Sequence, residues 1–392
     1  IKDIIPRYWT MRGHFVQLRF GWDCHGLPVE NEMEKELGVS GKRDISRLGT
    51  HVFNEACRSI VLRYTRQWEN IVRRMGRWVD FGNQYRTMDP PYMESIWWVF
   101  GQVWDKGLIY EGFRVQPYCP RCATPLSNFE VNEGYREIQG PSITVTFPLA
   151  DDPRVKFLVW TTTPWTLPSN VALAVGPEVE YVKLADGDDI FILAKDRLGA
   201  YYRNESEYEI LETLSGADLE GRAYEPLFDY FADRSEKFFR VTGAGFVSTE
   251  DGTGIVHIAP AFGEDDFKVG EELGLPIVCP VDDEGKFTEE VPEWSGRLVF
   301  DADRDITRWI KKRGRLIHQG TLQHRYPFCY RCDAPLIYKA ITTWFMKIGP
   351  LKENMLQGND RIHWVPEHLQ GGRFGTGGQR APDWYISRNR YW

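Results

Sequence analysis

"YCPRCATPL", residues 118–126, is written a second time as "FCYRCDAPL", residues 328–336, and this doubled phrase decides how the chain is laid out. Each copy is C-x-x-C followed by a small residue and Pro-Leu, the shape of a zinc knuckle. Four thiolates suit a tetrahedral zinc ion, so Cys119, Cys122, Cys329 and Cys332 are candidate ligands of one structural site. Two redox dithiols are the competing reading, but a redox C-x-x-C needs no second copy. The stretch from Ala123 to Phe328 is too long for a simple zinc ribbon. If the four cysteines share one ion, the chain must leave and return to one place. That is the geometry of an inserted domain whose entry and exit strands lie together. Cys24, Cys57 and Cys279 read as buried free thiols.

At 392 residues the chain exceeds one compact core, and two or three domains are expected. A formal charge of -8 gives no global basic signal, so a nucleic-acid partner would have to be met by local patches. No run of apolar residues is long enough to span a membrane. Seven cysteines in a chain of this size do not make a disulfide scaffold and point to an intracellular protein with thiolate chemistry. The chain opens "IKDIIPRYWTMRG", without an initiator Met or a signal peptide, and closes "SRNRYW"; both ends read as cut from a longer polypeptide.

Before the first cysteine pair the texture is α/β. Phe15, Leu18 and Phe20 suggest a strand that breaks at Gly21, placing "GWDCHG" at its carboxyl end, where such sheets bind ligands. Ile60, Tyr64, Trp68, Ile71 and Met75 predict helix between Thr50 and Trp78. Asp89-Pro90-Pro91 opens another helix with an apolar face (Ile96, Trp97, Phe100, Val103, Trp104), stopped by Gly107. Between about 141 and 320, short β-rich runs dominate: "SITVTF", "VKFLVW", "VALAVG", "VEYVKL" and "IFILAK", with a hairpin turn at Asp186-Gly187. Helices are predicted from Asp265 to Leu273 and from Asp301 to Arg313, closed by Gly274 and Gly314. The glycine-rich run 371–382 reads as a mobile segment.

One further stretch needs explaining. "WTTTPWTLPSN", residues 160–170, ends a strand with three hydroxyls just where prolines break the ladder. Taken with "GWDCHGLPVE", "EPLFDYF", "GTGIVHIAPAFGEDDF" and "DWYISRNRYW", it resembles the class Ia aminoacyl-tRNA synthetases, and among them the isoleucyl members. Valyl and leucyl members resemble the chain in layout but carry Arg where Thr163 stands. The resemblance covers nearly the whole chain. It implies part of a Rossmann-like catalytic domain (1–115 and 346–392) interrupted by a β-rich, barrel-like editing domain (141–320). A zinc knuckle at the neck would leave through 116–140 and return through 321–345.

The resemblance implies isoleucine, valine and ATP as ligands, with Mg2+, and the acceptor end of tRNA(Ile) as partner, in a cytoplasmic monomer. Family members handle ATP phosphates with a His-Ile-Gly-His-like motif and a Lys-Met-Ser-Lys-Ser loop. Neither is in this sequence, so ligation of isoleucine to tRNA is not expected of it alone. Thr161, Thr162 and Thr163 would surround the ester of a mischarged tRNA, and Asp266 would bind its α-ammonium. His257 would form the wall that admits valine but not isoleucine, and Trp160 and Asn170 would shape the adenosine side. Asp23 would meet the amino-acid ammonium in the catalytic half, with Asn389 and Trp392 flanking that pocket. Each residue also has a plainer reading: His257 as a core histidine, Asp266 as a helix cap, Asp23 as a turn cap. Other classes remain open at this point. A zinc-dependent hydrolase would use His257 and aspartates as metal ligands, and a zinc-knuckle RNA-binding module would have no catalysis.

Overall fold

The computed structural model describes residues 2–388 and 390–392. The chain is mixed α/β and divides into two compact units, Ile1–Gly112 with Thr343–Trp392, and Phe113–Thr342.

The second unit is built on a six-stranded sheet. In spatial order its strands are Glu209–Ser215, Glu180–Asp186, Asp189–Ala194, Val155–Thr161, Tyr135–Pro148 and Leu316–Pro327. All neighbours are antiparallel except Asp189–Ala194 with Val155–Thr161. The register sets Val145 opposite Val159 and Phe147 opposite Phe157, all fully buried. Aromatic and β-branched pairs of this kind are what a pleated, covered face selects. Removing the Phe157 ring would cost about 3–5 kcal/mol. The expected hairpin forms: Asp186 pairs with Asp189, and Gly187 takes the left-handed φ of +61° that such a two-residue turn demands. A second sheet of three strands, Arg240–Gly243, Ala172–Val175 and Ile255–Ile258, completes the core.

Two helices cover this body, Glu264–Leu273 and Val299–Lys312. The first ends on left-handed Gly274, φ +62°. Both begin earlier than the acidic residues in their first turns suggested. The unit is entered along Ile109–Cys119 and left along Ile337–Met346, which are neighbours in one four-stranded sheet.

In the first unit Arg19–Trp22 and Asp80–Arg86 pair in parallel. A small core of Met33, Ile45, Phe53, Cys57 and Ile60 forms beside them. The helix expected from Thr50 to Trp78 is two, Thr50–Ile60 and Thr65–Arg74. Thr65 Oγ1 donates to the Leu62 carbonyl at 2.9 Å, a local bond that competes with the helical ladder. Gly76, φ +71°, ends the second helix before Trp78. The helix Pro90–Asp105 forms, but none of its residues is buried, and Trp97 is 71% exposed. Half of the run 371–382, expected to be mobile, is wound into the helix Gly375–Arg380.

Candidate functional site

The strand Val155–Thr161 delivers its last threonine to the edge of a cavity of about 500 Å³. Trp160, the three threonines, His257 and Asp266 line it, with Phe246, Phe262 and the turn Gly252–Gly254. Beyond Thr163 the chain tightens into a 3-10 helix, Pro164–Ser169. Its three-residue pitch folds Thr166 back beneath Thr163.

The hydroxyls form a chain. Thr161 Oγ1 accepts the Thr163 N–H at 3.1 Å and lies 3.3 Å from Thr163 Oγ1. Thr163 Oγ1 lies 3.2 Å from Thr166 Oγ1. Thr166 Oγ1 donates to the Thr163 carbonyl at 2.8 Å and sits 3.0 Å from His257 Nε2. The carbonyl can only accept, and the threonine has one proton. Both bonds therefore hold together only if His257 carries its proton on Nε2. Its Nδ1 is then a bare acceptor, buried and without a partner among the described residues. Burial pushes the His257 pKa down to about 4, so the ring is neutral near pH 7. Thr162 has no side-chain hydrogen bond among the described residues and lines the same cavity.

Asp266 stands in the first turn of Glu264–Leu273, where the helix dipole favours an anion. Its Oδ2 accepts the Ala259 N–H at 2.8 Å, which draws the strand end and the helix start together. Burial outweighs that bond and raises its pKa to about 6. The plainer reading of Asp266 as a cap is thus compatible with its place on the cavity wall. Gly263 permits the close turn: a Cβ there would lie 2.8 Å from Asp266 Cγ. Gly252, φ +69°, lies flat on the Trp160 indole, where a Cβ would come within 2.7 Å of the ring. Trp160 is fixed from its other end, Nε1 donating to Ser142 Oγ at 2.8 Å.

Asn170 is not brought to this cavity. Its Nδ2 donates to the Ala172 carbonyl at 2.8 Å and its Oδ1 accepts from Tyr224 at 2.7 Å, so both ends of the amide are consumed inside the core. Two residues escaped sequence reasoning. Thr166 lay in the quoted stretch, three positions after Thr163, but only the tight turn reveals that it meets His257. Asp303, on the helix Val299–Lys312, accepts the Trp165 N–H at 2.8 Å, and burial raises its pKa to about 7.

The four cysteines converge. The sulfurs of Cys119, Cys122, Cys329 and Cys332 all lie within 4.8 Å of one another and could hold a metal ion. The two knuckles share a backbone trick: the residue after each second cysteine, Ala123 at φ +49° and Asp333 at φ +60°, is left-handed. Among the described residues this is the group whose ligand atoms gather in this way; His257 and the aspartates do not.

In the first unit Asp23 is exposed at the carboxyl end of Arg19–Trp22. Trp392 sits beside it, Nε1 donating to the Cys24 carbonyl at 2.7 Å. Buried Glu30 holds that segment, accepting the N–H of Tyr391 at 2.7 Å and of Trp392 at 2.8 Å, and pairing with Arg390 at 2.9 Å. Asn389 lies outside the described residues. No helix among the described residues is long and apolar enough to cross a membrane.

A family model for tRNA synthetases class I (I, L, M and V) matches residues 1–392. The isoleucine--tRNA ligase of Protochlamydia amoebophila is 53% identical over 395 residues, covering 100% of this chain and 38% of that relative. The cytoplasmic isoleucine--tRNA ligase of Mus musculus is 51% identical over 400 residues, covering 100% of this chain and 32% of that relative. The chain thus spans well under half the length of either. Among solved structures, the editing domain of P. knowlesi cytosolic leucyl-tRNA synthetase matches with a TM-score of 0.38 at 12% identity, over 48% of this chain and 99% of that one.

Proposed function

This chain belongs to the class I tRNA synthetases, and we propose that its unit Phe113–Thr342 is a hydrolytic editing domain that clears valine wrongly joined to tRNA(Ile). The need is physical. Valine lacks one methylene of isoleucine, and an apolar pocket rejects it by only about 1–3 kcal/mol, a figure for which this pair of amino acids is the standard illustration. A second, smaller site that hydrolyses the wrong ester makes up the difference.

One observation carries the reading: residues 161–163, His257 and Asp266 line a single cavity although they come from distant segments. Asp266 would hold the α-ammonium of the bound ester. The threonine hydroxyls would hold the ester oxygens and a water in line with the carbonyl. His257, neutral, would close the wall to the larger side chain. Trp160 would flank the adenosine. His257 is too weak a base to be the proton acceptor near pH 7, which leaves water positioned by substrate and threonines as the mechanism.

The thiolate site would hold one structural zinc, pinning the two chain crossings of an inserted domain. The unit that contains Asp23 and Trp392 would be part of a Rossmann-like catalytic domain. Ligation of isoleucine to tRNA(Ile), with ATP and Mg2+, would belong to the whole protein, a cytoplasmic monomer. Deacylation tests the reading: the purified chain should hydrolyse valyl-tRNA(Ile) and spare isoleucyl-tRNA(Ile). Equal cleavage of both, or of neither, would sink it.

A further inference from the structure

We propose that the outward face of the helix Val299–Lys312 is a docking surface for the phosphate backbone of an RNA strand. Arg304, Arg308 and Lys311 stand on that face at helical spacing, spread over about 10 Å of the axis. With Thr307 and Gln319 they line a concavity of about 380 Å³. Arg304 and Lys311 have no acceptor among the described residues. Arg308 pairs with Asp305 at 2.9 Å, but that carboxylate is shared with Arg297 at 2.6 Å. Positive charge is therefore left over, on a chain whose formal charge is -8.

The shape argues for a strand over a single anion. Three cations in a row do not converge on one phosphate, whereas successive phosphates of a backbone would meet them in turn. Arginine forks and a lysine suit that chemistry, and Gln319, from the outermost strand of the six-stranded sheet, adds a neutral donor. The opposite face of the helix is fixed by buried Ala302, Ile306 and Ile310. Asp303 ties the helix to Trp165, one turn beyond the threonine run. An RNA held on this face is thus registered against the segment that lines the cavity. Two nearby arginines are otherwise employed. Arg315 donates to the Thr146 and Glu225 carbonyls at 2.9 and 3.0 Å, and Arg313 lies on the Trp309 ring, 3.3 Å from its centroid.

The surface rests on the reading of this unit as one that acts on a tRNA-borne ester, yet its test needs no hydrolysis. Binding of fluorescent, uncharged tRNA to the whole chain is titrated across a range of KCl concentrations. Arg304→Gln and Lys311→Gln, both exposed and neither at the cavity, should each lower the slope of log K against log salt by about 1, and the pair by about 2. Inorganic phosphate should displace tRNA no better than chloride of equal ionic strength. Unchanged slopes, no tRNA binding, or displacement by phosphate that requires Arg304 and Lys311 would each overturn the proposal. Reduced slopes in a chain that deacylates nothing would uphold this surface and remove the editing reading; deacylation with unaltered slopes would do the reverse.

Discussion

Nε2 of His257 lies 3.0 Å from Thr166 Oγ1, and that one contact fixes which nitrogen of the imidazole carries the proton. Thr166→Val keeps the shape and removes the hydroxyl. The ring then loses the partner that sets its tautomer, and a buried N–H is left unpaired at about 1–3 kcal/mol. We predict a fall in valyl-tRNA(Ile) deacylation of about tenfold to a hundredfold, or about 1.4–2.7 kcal/mol in the barrier, with Thr166→Ser close to the parent. A valine variant with the parent's rate would show that the contact only packs the core.

His257→Ala should enlarge the cavity on the side assigned to discrimination. Isoleucyl-tRNA(Ile) then becomes a substrate, and the preference for the valyl ester drops about 10-fold or more. Parallel time courses on the two esters read this directly; an unaltered preference would free His257 of that role.

Asp266 must be ionised to hold an ammonium, and its pKa of about 6 puts the transition within reach. Deacylation should climb from pH 5 to pH 7 and then level, while Asp266→Asn stays low throughout. Stability runs the other way. The folded pKa lies above the ordinary 3.8, so the contribution is complete below that value and is lost as pH rises through about 6. Asp266→Asn should therefore melt higher than the parent at pH 8 and not at pH 4.

Asp303 gives the same sign without touching the cavity. Its pKa of about 7 means that the fold carries a buried carboxylate reluctantly above neutrality. Asp303→Asn can still accept the Trp165 N–H, and should gain on the order of 3 kcal/mol at pH 8 relative to pH 4. Chemical denaturation at the two pH values measures it, and equal gains at both would mean that packing, not charge, is responsible.

Metal content tests the thiolate cluster. One zinc per chain is expected, falling to none in Cys329→Ser, whose three remaining sulfurs no longer complete a tetrahedron. The melting temperature should fall with the metal. A parent chain purified free of zinc and equally stable would refute the assignment.

What sequence could reveal here depended on how local each signal is. The cysteine phrases are self-contained, and their sulfurs meet as the repetition implied. Thr161 to Thr163, His257 and Asp266 each stood out by residue type in a short motif, and they line one cavity. Asn170 did not follow, because only the tertiary packing of Tyr224 decides that its amide turns into the core. Thr166 was hidden by a turn that has no periodicity, and Asp303 by a helix position that reads as solvated. The break between Thr50–Ile60 and Thr65–Arg74 rests on one threonine hydroxyl, too faint for an apolar pattern to register. The wide apolar face of Pro90–Asp105 was plain in the sequence, but its exposure was not.

The pairing of two knuckles so far apart in sequence has a consequence for biosynthesis. During translation Cys119 and Cys122 leave the ribosome first and would wait, as a two-sulfur half-site, while the strands of the six-stranded sheet are made. A four-sulfur site would close only when Cys332 emerges, so loading of an ion would come near the end of that unit's synthesis, just before the chain returns to the unit it left at Gly112.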